Sequence, residues 1–270
     1  MKIESLKLVY FSPTGTTKKI IEIIAKGINH SAVETVDITQ PEGRKQQLRT
    51  SENELLIIGV PVYFGRAQTK AIEWLNTMKA HNTPTVCIVV YGNRAYDDAL
   101  LELKDTTIKN GGIPVACAAF IGEHSFSDSE TPIAAGRPDA EDLSRAQLFG
   151  EKIREKILSI PSINHIADIT VHGNYPYIDM VESKKRLSSV GFIAVDNNCS
   201  HCGDCAQNCP VSAIDPESSV LIDTKKCILC RACIKKCPAN ARKINNDMIK
   251  NIALRLSQTC QERKEPIYFL

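Results

Sequence analysis

Cysteine spacing constrains this sequence more than any other feature, because nine of its eleven cysteines follow residue 190. Eight of the nine form two copies of the run C-x₂-C-x₂-C-x₃-C-P. The copies CSHCGDCAQNCPVSA and CILCRACIKKCPANA align without a gap, so that Cys199 matches Cys227 and Cys209 matches Cys237. Three cysteines at two-residue intervals wrap a loop around one side of a compact iron–sulfur cubane. The two copies therefore predict two [4Fe–4S] clusters.

The fourth cysteine of each run is expected to ligate the other cluster, as it does in two-cluster proteins with this spacing. The first cluster is predicted to take Cys199, Cys202, Cys205 and Cys237. The second is predicted to take Cys227, Cys230, Cys233 and Cys209. Structural zinc is the alternative, but zinc sites usually pair two separated C-x₂-C units and have no use for a third cysteine at that interval. Residues 191–245 resemble the bacterial two-cluster ferredoxin over their whole length.

Composition places the chain among ordinary globular proteins and limits its partners. Its 270 residues favour two domains, and the net charge of +2 gives no reason to expect nucleic acid. The N-terminus lacks the basic and apolar regions of a secretory signal, and the longest apolar stretch, 55–64, is about half of a bilayer span. We expect a cytoplasmic protein with no membrane partner, whose cysteines serve metal or redox chemistry.

The N-terminal part of the chain, 1–160, alternates strand-like apolar runs with helical patterns. Strands are predicted over residues 6–11, 32–38, 55–61, 85–92 and 112–120. Helices are predicted from the isoleucine stripe at residues 20–28 and over 66–79, 95–110 and 139–158. The alternation predicts an α/β fold with a doubly wound, five-stranded parallel sheet, followed by a small α+β cluster-binding domain.

The domain limits can also be predicted from the sequence. The predicted units are 1–160 (α/β domain), 161–190 (linker), 191–245 (two-cluster domain) and 246–270 (C-terminal helix and tail). The linker is polar and carries a basic patch at 184–186 and a candidate extended piece at 169–171. This composition predicts an extended spacer between the domains more than a segment docked rigidly on one of them. Apolar residues at helical spacing predict a helix over 246–261 that docks on one of the domains.

A loop of hydroxyl side chains, SPTGTT (12–17), follows the first predicted strand and directly precedes a helix. Hydroxyls and free backbone N–H groups at a helix N-terminus bind phosphate readily. The Walker spacing is absent, and a single glycine does not make a dinucleotide fingerprint. The loop therefore suits a terminal monoester phosphate, with an ordinary Ser/Thr-rich N-cap as the alternative.

Two further loops are expected at the same end of the sheet, where doubly wound folds bind ligands. They are PVYFGR (61–66) and YGNRAY (91–96), and both offer aromatic rings and glycine. In these motifs residues 3–158 resemble the flavodoxin family, whose loops embrace FMN. The resemblance implies phosphate contacts from Ser12, Thr14, Gly15, Thr16 and Thr17. It implies ring contacts from Pro61, Tyr63, Phe64, Gly65, Tyr91, Gly92, Asn93, Arg94 and Tyr96.

Some residues near these loops have two interpretations. The second ring loop lacks the acidic pattern of many flavodoxins and carries Asn93 and Arg94. Arg94 either stabilises an anionic reduced flavin or pairs with Asp97 or Asp98 on the surface. His124 follows the fifth strand at the same face and either contacts the ligand or is solvated. Cys87 and Cys117 lie in the middle of predicted strands and are expected to be buried, inert thiols.

The combination joins a flavin, which carries two electrons, to clusters that pass one at a time. As a whole the chain resembles the flavodoxin–ferredoxin fusion proteins of anaerobes. That resemblance implies an electron carrier in low-potential metabolism, with redox proteins as donors or acceptors, no assigned catalytic residue, and a homo-oligomer left open. A flavin-dependent reductase of a quinone or similar small acceptor is the alternative, and a flavin-free docking module is a third interpretation.

Overall fold

The computed structural model describes residues 1–179, 187 and 191–270. The predicted basic patch at 184–186 lies outside the described residues. No helix in the described part of the chain is long and apolar enough to cross a membrane.

The N-terminal domain is built on parallel strands that are apolar on both faces. Its strands are β1 (Ser5–Tyr10), β2 (Val33–Asp37), β3 (Arg49–Thr50), β4 (Glu54–Tyr63), β5 (Arg66–Ala67), β6 (Lys79–Ala80), β7 (Thr83–Tyr91) and β8 (Gly112–Ile121). The order β2-β1-β4-β7-β8 is parallel throughout. Every residue of β7 is buried, as a parallel sheet covered on both faces requires. The five predicted parallel strands are confirmed.

Helices cover both faces of this sheet. They are α1 (Thr16–Ile28), α2 (Thr69–Leu75), α3 (Ala99–Lys109) and α4 (Ala140–Ser159). α1 buries its isoleucine stripe on one face beside α4, whereas α2 and α3 pack on the other. A Cβ atom on Gly27 would meet the Gln147 carbonyl oxygen at 2.1 Å, and one on Gly150 would meet that of Ile24 at 2.1 Å. Only glycine at these two positions lets α1 and α4 pack backbone against backbone.

The cysteine-rich unit repeats in its backbone as it does in its sequence. Its elements are β9 (Ile193–Val195), α5 (Asp204–Gln207), α6 (Ala232–Lys235) and β10 (Arg242–Ile244), with β9 and β10 antiparallel. The two helices occupy equivalent positions in the two copies. Left-handed φ angles recur at equivalent positions too: 54° and 62° at His201 and Leu229, 80° and 58° at Gly203 and Arg231, 47° and 49° at Ser212 and Asn240.

The C-terminal segment contacts both units instead of one. The helix α7 (Asp247–Thr259) begins after Asn246, whose side chain accepts the Ile249 N–H. Its buried face packs on Phe126 of the N-terminal domain and on Leu229 of the cysteine-rich unit. The final strand β11 (Ile267–Phe269) then pairs antiparallel with β8. The predicted helix is confirmed, but its predicted docking on a single domain is wrong, and β11 was not anticipated.

The described part of the predicted linker packs on the N-terminal domain. Ile169 and Val171 are buried, although the structure has no strand there. The buried carboxylate of Asp98 accepts the N–H groups of Asn174 at 2.8 Å and Ile178 at 2.6 Å. The prediction of an extended spacer is therefore wrong for residues 169–178, which are anchored by two buried side chains and by backbone bonds to Asp98.

The cysteine-rich unit lies against the C-terminal ends of the parallel strands. Cys230 and Ala232 join the apolar core that Tyr91 belongs to. Arg44 donates a hydrogen bond to the Pro210 carbonyl at 2.6 Å across the boundary. This docking places the second cysteine loop over the end of the sheet where the ligand loops lie.

Candidate functional site

A cavity of about 420 Å³ lies at the C-terminal ends of β1, β4, β7 and β8. Four loops of the N-terminal domain form its floor and sides, and the second cysteine loop and α7 complete its wall. Its volume is typical of a pocket for one small ligand or cofactor.

The hydroxyl-rich loop at the start of α1 is fixed by hydrogen bonds to the helix and to Thr39. The Ser12 hydroxyl accepts the Lys18 N–H at 3.0 Å, and the Ser12 N–H donates to the Thr39 hydroxyl at 2.8 Å. Gly15, at φ 88°, turns the chain into the helix. Within the described chain, no carbonyl or hydroxyl accepts the N–H groups of Thr16 and Thr17. A phosphate at this helix N-terminus would satisfy these donors.

The loops after β4 and β7 are locked together. Phe64 and Gly65 both adopt left-handed φ angles, 55° and 75°. A Cβ atom on Gly65 would lie 2.6 Å from the Asp97 carboxylate, so only glycine allows this approach. The Asp98 N–H donates to the Gly65 carbonyl at 3.0 Å. The two loops therefore present their aromatic side chains as one wall.

Tyr63 connects this wall to the cysteine-rich unit. Burial raises the pKa of Tyr63 well above its ordinary value, and the Cys230 and Cys227 thiols add to the shift. Tyr63 and Cys230 both line the cavity. A predicted ring contact and a predicted cluster ligand thus lie side by side.

Eleven of the fourteen residues predicted to bind the cofactor line the cavity. They are Ser12, Thr14, Thr16, Thr17, Pro61, Tyr63, Phe64, Gly65, Tyr91, Gly92 and Arg94. Arg94 also forms a salt bridge with Asp97, which confirms the predicted surface pairing, and its stabilisation of a reduced flavin stays a prediction. Gly15 does not line the cavity, but its left-handed φ shapes the phosphate loop.

Asn93 and Tyr96 point elsewhere, contrary to expectation. The Asn93 amide donates to the carbonyls of Cys260 at 2.9 Å and Glu262 at 2.8 Å, so it holds the C-terminal tail. The Tyr96 hydroxyl pairs with Nδ1 of His172 at 3.2 Å, and its ring meets Tyr91 edge-on at 5.6 Å. Neither side chain is available to a ring in the cavity.

His124 lines the cavity as a neutral imidazole. Its Nδ1 accepts the Phe126 N–H at 3.0 Å, which leaves the proton on Nε2. Burial, and then the positive charges of Arg231, Lys235 and Arg94, lower the pKa of His124 to about 4. A Cβ atom on Gly92 would lie 2.3 Å from its ring, so glycine is required there. His124 therefore offers the cavity an uncharged N–H donor, and the expectation of a solvated side chain is wrong.

The wall residues that the sequence did not reveal come from the C-terminal half. Leu229 lies in the second cysteine loop, and Ile252 and Leu256 lie on the buried side of α7. One signal was present: when the two copies are aligned, Leu229 replaces the polar His201 of the first copy. An apolar residue at a loop tip indicates a covered surface.

The four cysteines predicted for the second cluster surround one narrow void. Burial raises the pKa of Cys227, Cys230 and Cys233, and in each case the Cys209 thiol contributes. Cys209 therefore lies with the second run although it ends the first. Its sulfur accepts the Ala213 N–H at 3.2 Å, the kind of backbone bond that supports a metal ligand.

The four cysteines predicted for the first cluster lie nearer the surface. Cys202 is exposed, Cys199 and Cys237 are half-buried, and only Cys205 is buried. Cys87 and Cys117, by contrast, are completely buried in β7 and β8, which confirms the burial predicted for these two thiols.

Comparison with known families decides what these units are. Residues 7–124 match the model of the flavodoxin domain, and residues 198–241 match that of the 4Fe-4S dicluster domain. The chain is a flavodoxin domain followed by a 4Fe–4S dicluster ferredoxin domain. The eight cysteines of the ferredoxin domain imply two [4Fe–4S] clusters, and the two domains together imply electron transfer.

Individual relatives of the two domains are distant. Over 79 residues the chain is 30% identical to a protein of Escherichia coli (strain K12) named "Putative oxidoreductase AegA", a stretch covering 28% of this chain and 11% of that protein. A flavodoxin from the domain Archaea is 15% identical over 57% of this chain and 99% of its own, with a TM-score of 0.38. A Fusobacterium nucleatum flavodoxin bound to flavin mononucleotide is 16% identical over 56% and 98%, with a TM-score of 0.39.

Proposed function

We propose that this chain carries electrons between its two [4Fe–4S] clusters and one FMN bound non-covalently in the cavity between the domains. One observation carries the proposal: a single cavity is lined both by the hydroxyl loop, through Thr14 and Thr16, and by Cys230 of the second ligand set. A cofactor in this cavity would touch the loop that holds the second cluster.

The cavity residues suit FMN. The terminal phosphate would take the hydroxyls of Thr14 and Thr16 and the free N–H groups that begin α1, with no lysine required. The ring would lie among the apolar and aromatic side chains of Tyr63, Tyr91 and Leu229. When bound, the flavin supplies conversion between two-electron and one-electron transfer.

The two ligand sets suggest an order of transfer. The first set opens to solvent at Cys202, whereas the second is covered by the flavodoxin domain. An external redox protein would therefore meet the first cluster, and electrons would pass through the second cluster to or from the cavity. Because one chain contains every part of this route, it needs no homo-oligomer. The resemblance to fusion proteins of anaerobes suggests low-potential metabolism as its setting.

Composition tests the cofactors. We expect about eight irons, eight acid-labile sulfides and one FMN per chain after anaerobic purification, and no FAD. Two zinc ions per chain in a colourless protein would overturn the cluster assignment. Clusters without FMN, even after FMN is added, would leave the flavin-free docking module as the better interpretation.

Kinetics test the route. Anaerobic stopped flow on the intact chain, with a one-electron reductant, should show cluster reduction followed by flavin reduction. The second phase should have a rate independent of protein concentration, because donor and acceptor belong to one docked unit. A rate proportional to concentration would mean transfer between molecules and would overturn the intramolecular route.

A second candidate function is favoured by an open groove beside the cavity. The groove shares Tyr91, Ala95 and Ile178 with the cavity wall and continues to Tyr96 and His172. A small acceptor, such as a quinone, lying there would make the chain a flavin-dependent reductase. Steady-state turnover with a quinone, reduced by His172→Gln while internal transfer stays intact, would favour that function over a carrier.

A further inference from the structure

The second cysteine loop contains a buried cation without hydrogen-bond partners. Arg231 is only 5% exposed, and its Nε and Nη1 have no partner among the described residues. A buried charged donor without an acceptor is strongly unfavourable. The guanidinium is therefore expected to meet a group that the described residues do not supply.

The backbone at this position would favour a different residue. Arg231 adopts a left-handed φ of 58°, which is routine only for glycine. The first copy has glycine at the equivalent position, Gly203, with φ 80°. The same turn is thus built without strain in one copy and with an arginine in the other. A strained position of this kind points to a role for the side chain.

Nearby carboxylates do not use the guanidinium. No described carboxylate forms a salt bridge with Arg231. Asp128 accepts the N–H groups of Glu130 and Thr131, at 3.1 and 2.8 Å, and Glu123 is paired with Lys235 at 2.8 Å. Both acidic groups accept hydrogen bonds from other residues, and neither pairs with the guanidinium of Arg231.

The void that Arg231 lines indicates which acceptor its guanidinium meets. Arg231 lines the same narrow void as the four cysteines of the second ligand set. Thiolates and cluster sulfides are negatively charged acceptors, and hydrogen bonds to them tune reduction potential.

We propose that Arg231 donates hydrogen bonds to the sulfur atoms of the second cluster and raises its reduction potential. The inference rests on the proposed function in that it requires a cluster at this site. One-electron reduction adds one negative charge to the cluster, and the fixed guanidinium stabilises that charge in surroundings that water screens little. Gly203 provides no such cation for the first cluster. Arg231 therefore favours an electron on the cluster beside the cavity.

The test is an anaerobic redox titration of the intact chain, followed by electron paramagnetic resonance. Arg231→Gly gives the second loop the residue that the first already has, so the turn itself should survive. We expect its second cluster to be reduced with an equilibrium constant about tenfold smaller, a shift of about 59 mV to lower potential. Arg231→Lys keeps the charge and should recover most of the shift. The first cluster should not change, and Cys202→Ser assigns the two signals.

Lys226→Gln is the matched control. Lys226 is 62% exposed and precedes Cys227, so its loss removes the same charge one residue from a ligand but in water. Its potentials should equal those of the parent chain. An equal shift in this control, or unchanged potentials in Arg231→Gly with full iron and sulfide, would overturn the proposal. If Arg231→Gly does not load both clusters, Arg231→Gln replaces it under the same criteria.

Failure of this inference can be told apart from failure of the proposed function. A parent chain without iron and sulfide, or without transfer to FMN, removes the proposed function. If the parent chain has both but the Arg231→Gly variant keeps the same cluster potentials, only the proposed role of this side chain is overturned.

Discussion

The two cysteine loops share one backbone but differ in surroundings. Their helices and left-handed turns recur at equivalent positions of the two copies. The first loop carries His201 and Gly203 and leaves Cys202 exposed. The second carries Leu229 and Arg231 at the same positions, both buried against the flavodoxin domain. One ligand motif thus supports two sites: an open one suited to outside partners and a covered one suited to exchange with the cavity.

The largest expected effect comes from removing one ligand from either loop. Cys230→Ala and Cys202→Ala should each lower the iron content from about eight to about four per chain, because each loses one cluster. Cys230→Ala should also remove rapid flavin reduction by every one-electron reductant, whereas Cys202→Ala should remove it for an external redox protein and spare part of it for a small reductant. Iron analysis and stopped flow would measure the two effects.

Equal loss of flavin reduction in both variants would mean that every electron passes through the first cluster, even from a small reductant. Equal retention would contradict the assignment of the second cluster as the neighbour of the cavity. Cys260→Ala is the matched control, since Cys260 is outside both ligand sets and lies at the end of α7.

The next effect separates the cavity from the clusters. Thr14→Ala combined with Thr16→Ala removes two hydroxyls from the phosphate loop, and we expect FMN affinity to fall by about 3 kcal/mol, roughly 100-fold. Both cluster potentials should stay unchanged. Fluorescence titration of FMN would measure the affinity.

Thr35→Ala is the control for this pair, because Thr35 is exposed on the edge strand β2. Unchanged FMN affinity in the double variant would show that the phosphate lies elsewhere, and the identity of the cavity would have to be reassessed.

A smaller effect follows from the burial of His124 beside the second loop. The pKa of His124 is lowered to about 4, chiefly by burial, whereas an unfolded histidine titrates near 6.5. As pH falls below 6.5, the imidazole of His124 therefore binds a proton in the unfolded chain but not in the folded chain. We expect the unfolding free energy to drop by about 1 kcal/mol near pH 5.5, allowing for partial solvent screening of the ring.

His124→Gln should remove this pH dependence in urea unfolding, and nuclear magnetic resonance would report the imidazole pKa directly. Because Arg231 and Lys235 contribute to the shift, Arg231→Gly should raise that pKa. A value near 6.5 in the parent chain would contradict the docking of the second loop on this histidine.

The smallest effect concerns the ion pair between the domains. Lys235 and Glu123 are 2.8 Å apart, but both are partly exposed. Lys235→Met should destabilise the chain by about 0.5 kcal/mol, because water screens such pairs. A double-mutant cycle with Glu123→Gln would give the coupling. A loss of several kcal/mol would mean that this pair, instead of the apolar contacts, holds the domains together.

Local patterns were sufficient for much of the fold. The buried stripe of Ile20, Ile21 and Ile24 and the apolar runs of β4 and β7 carry their own periodicity. The cysteine repeat also predicted which cysteine crosses to the other set, because ligand spacing is a local property. The placement of Cys209 with the second run agrees with it.

Features that depend on distant contacts were not predictable. β11 has only three residues and pairs with a strand in the first half of the chain, so no alternation of apolar residues in the sequence predicts it. Asn93 has the same appearance in sequence whether its amide faces a ligand or the tail. The docking of residues 169–178 depends on the buried Asp98, whose role only the folded structure reveals. The cavity wall at Ile252 and Leu256 likewise requires knowledge of how α7 packs.

The pairing of β11 with β8 has a consequence for the order of events during synthesis. β8 is at the end of the parallel sheet, and its outer backbone groups are open until residues 267–269 arrive. Those residues leave the ribosome after every cysteine of the chain. An open edge strand invites pairing with foreign strands. The flavodoxin domain therefore cannot complete its sheet until the ferredoxin segment has been synthesised. A chain truncated before residue 267 would expose the unpaired backbone groups of β8, which promotes aggregation.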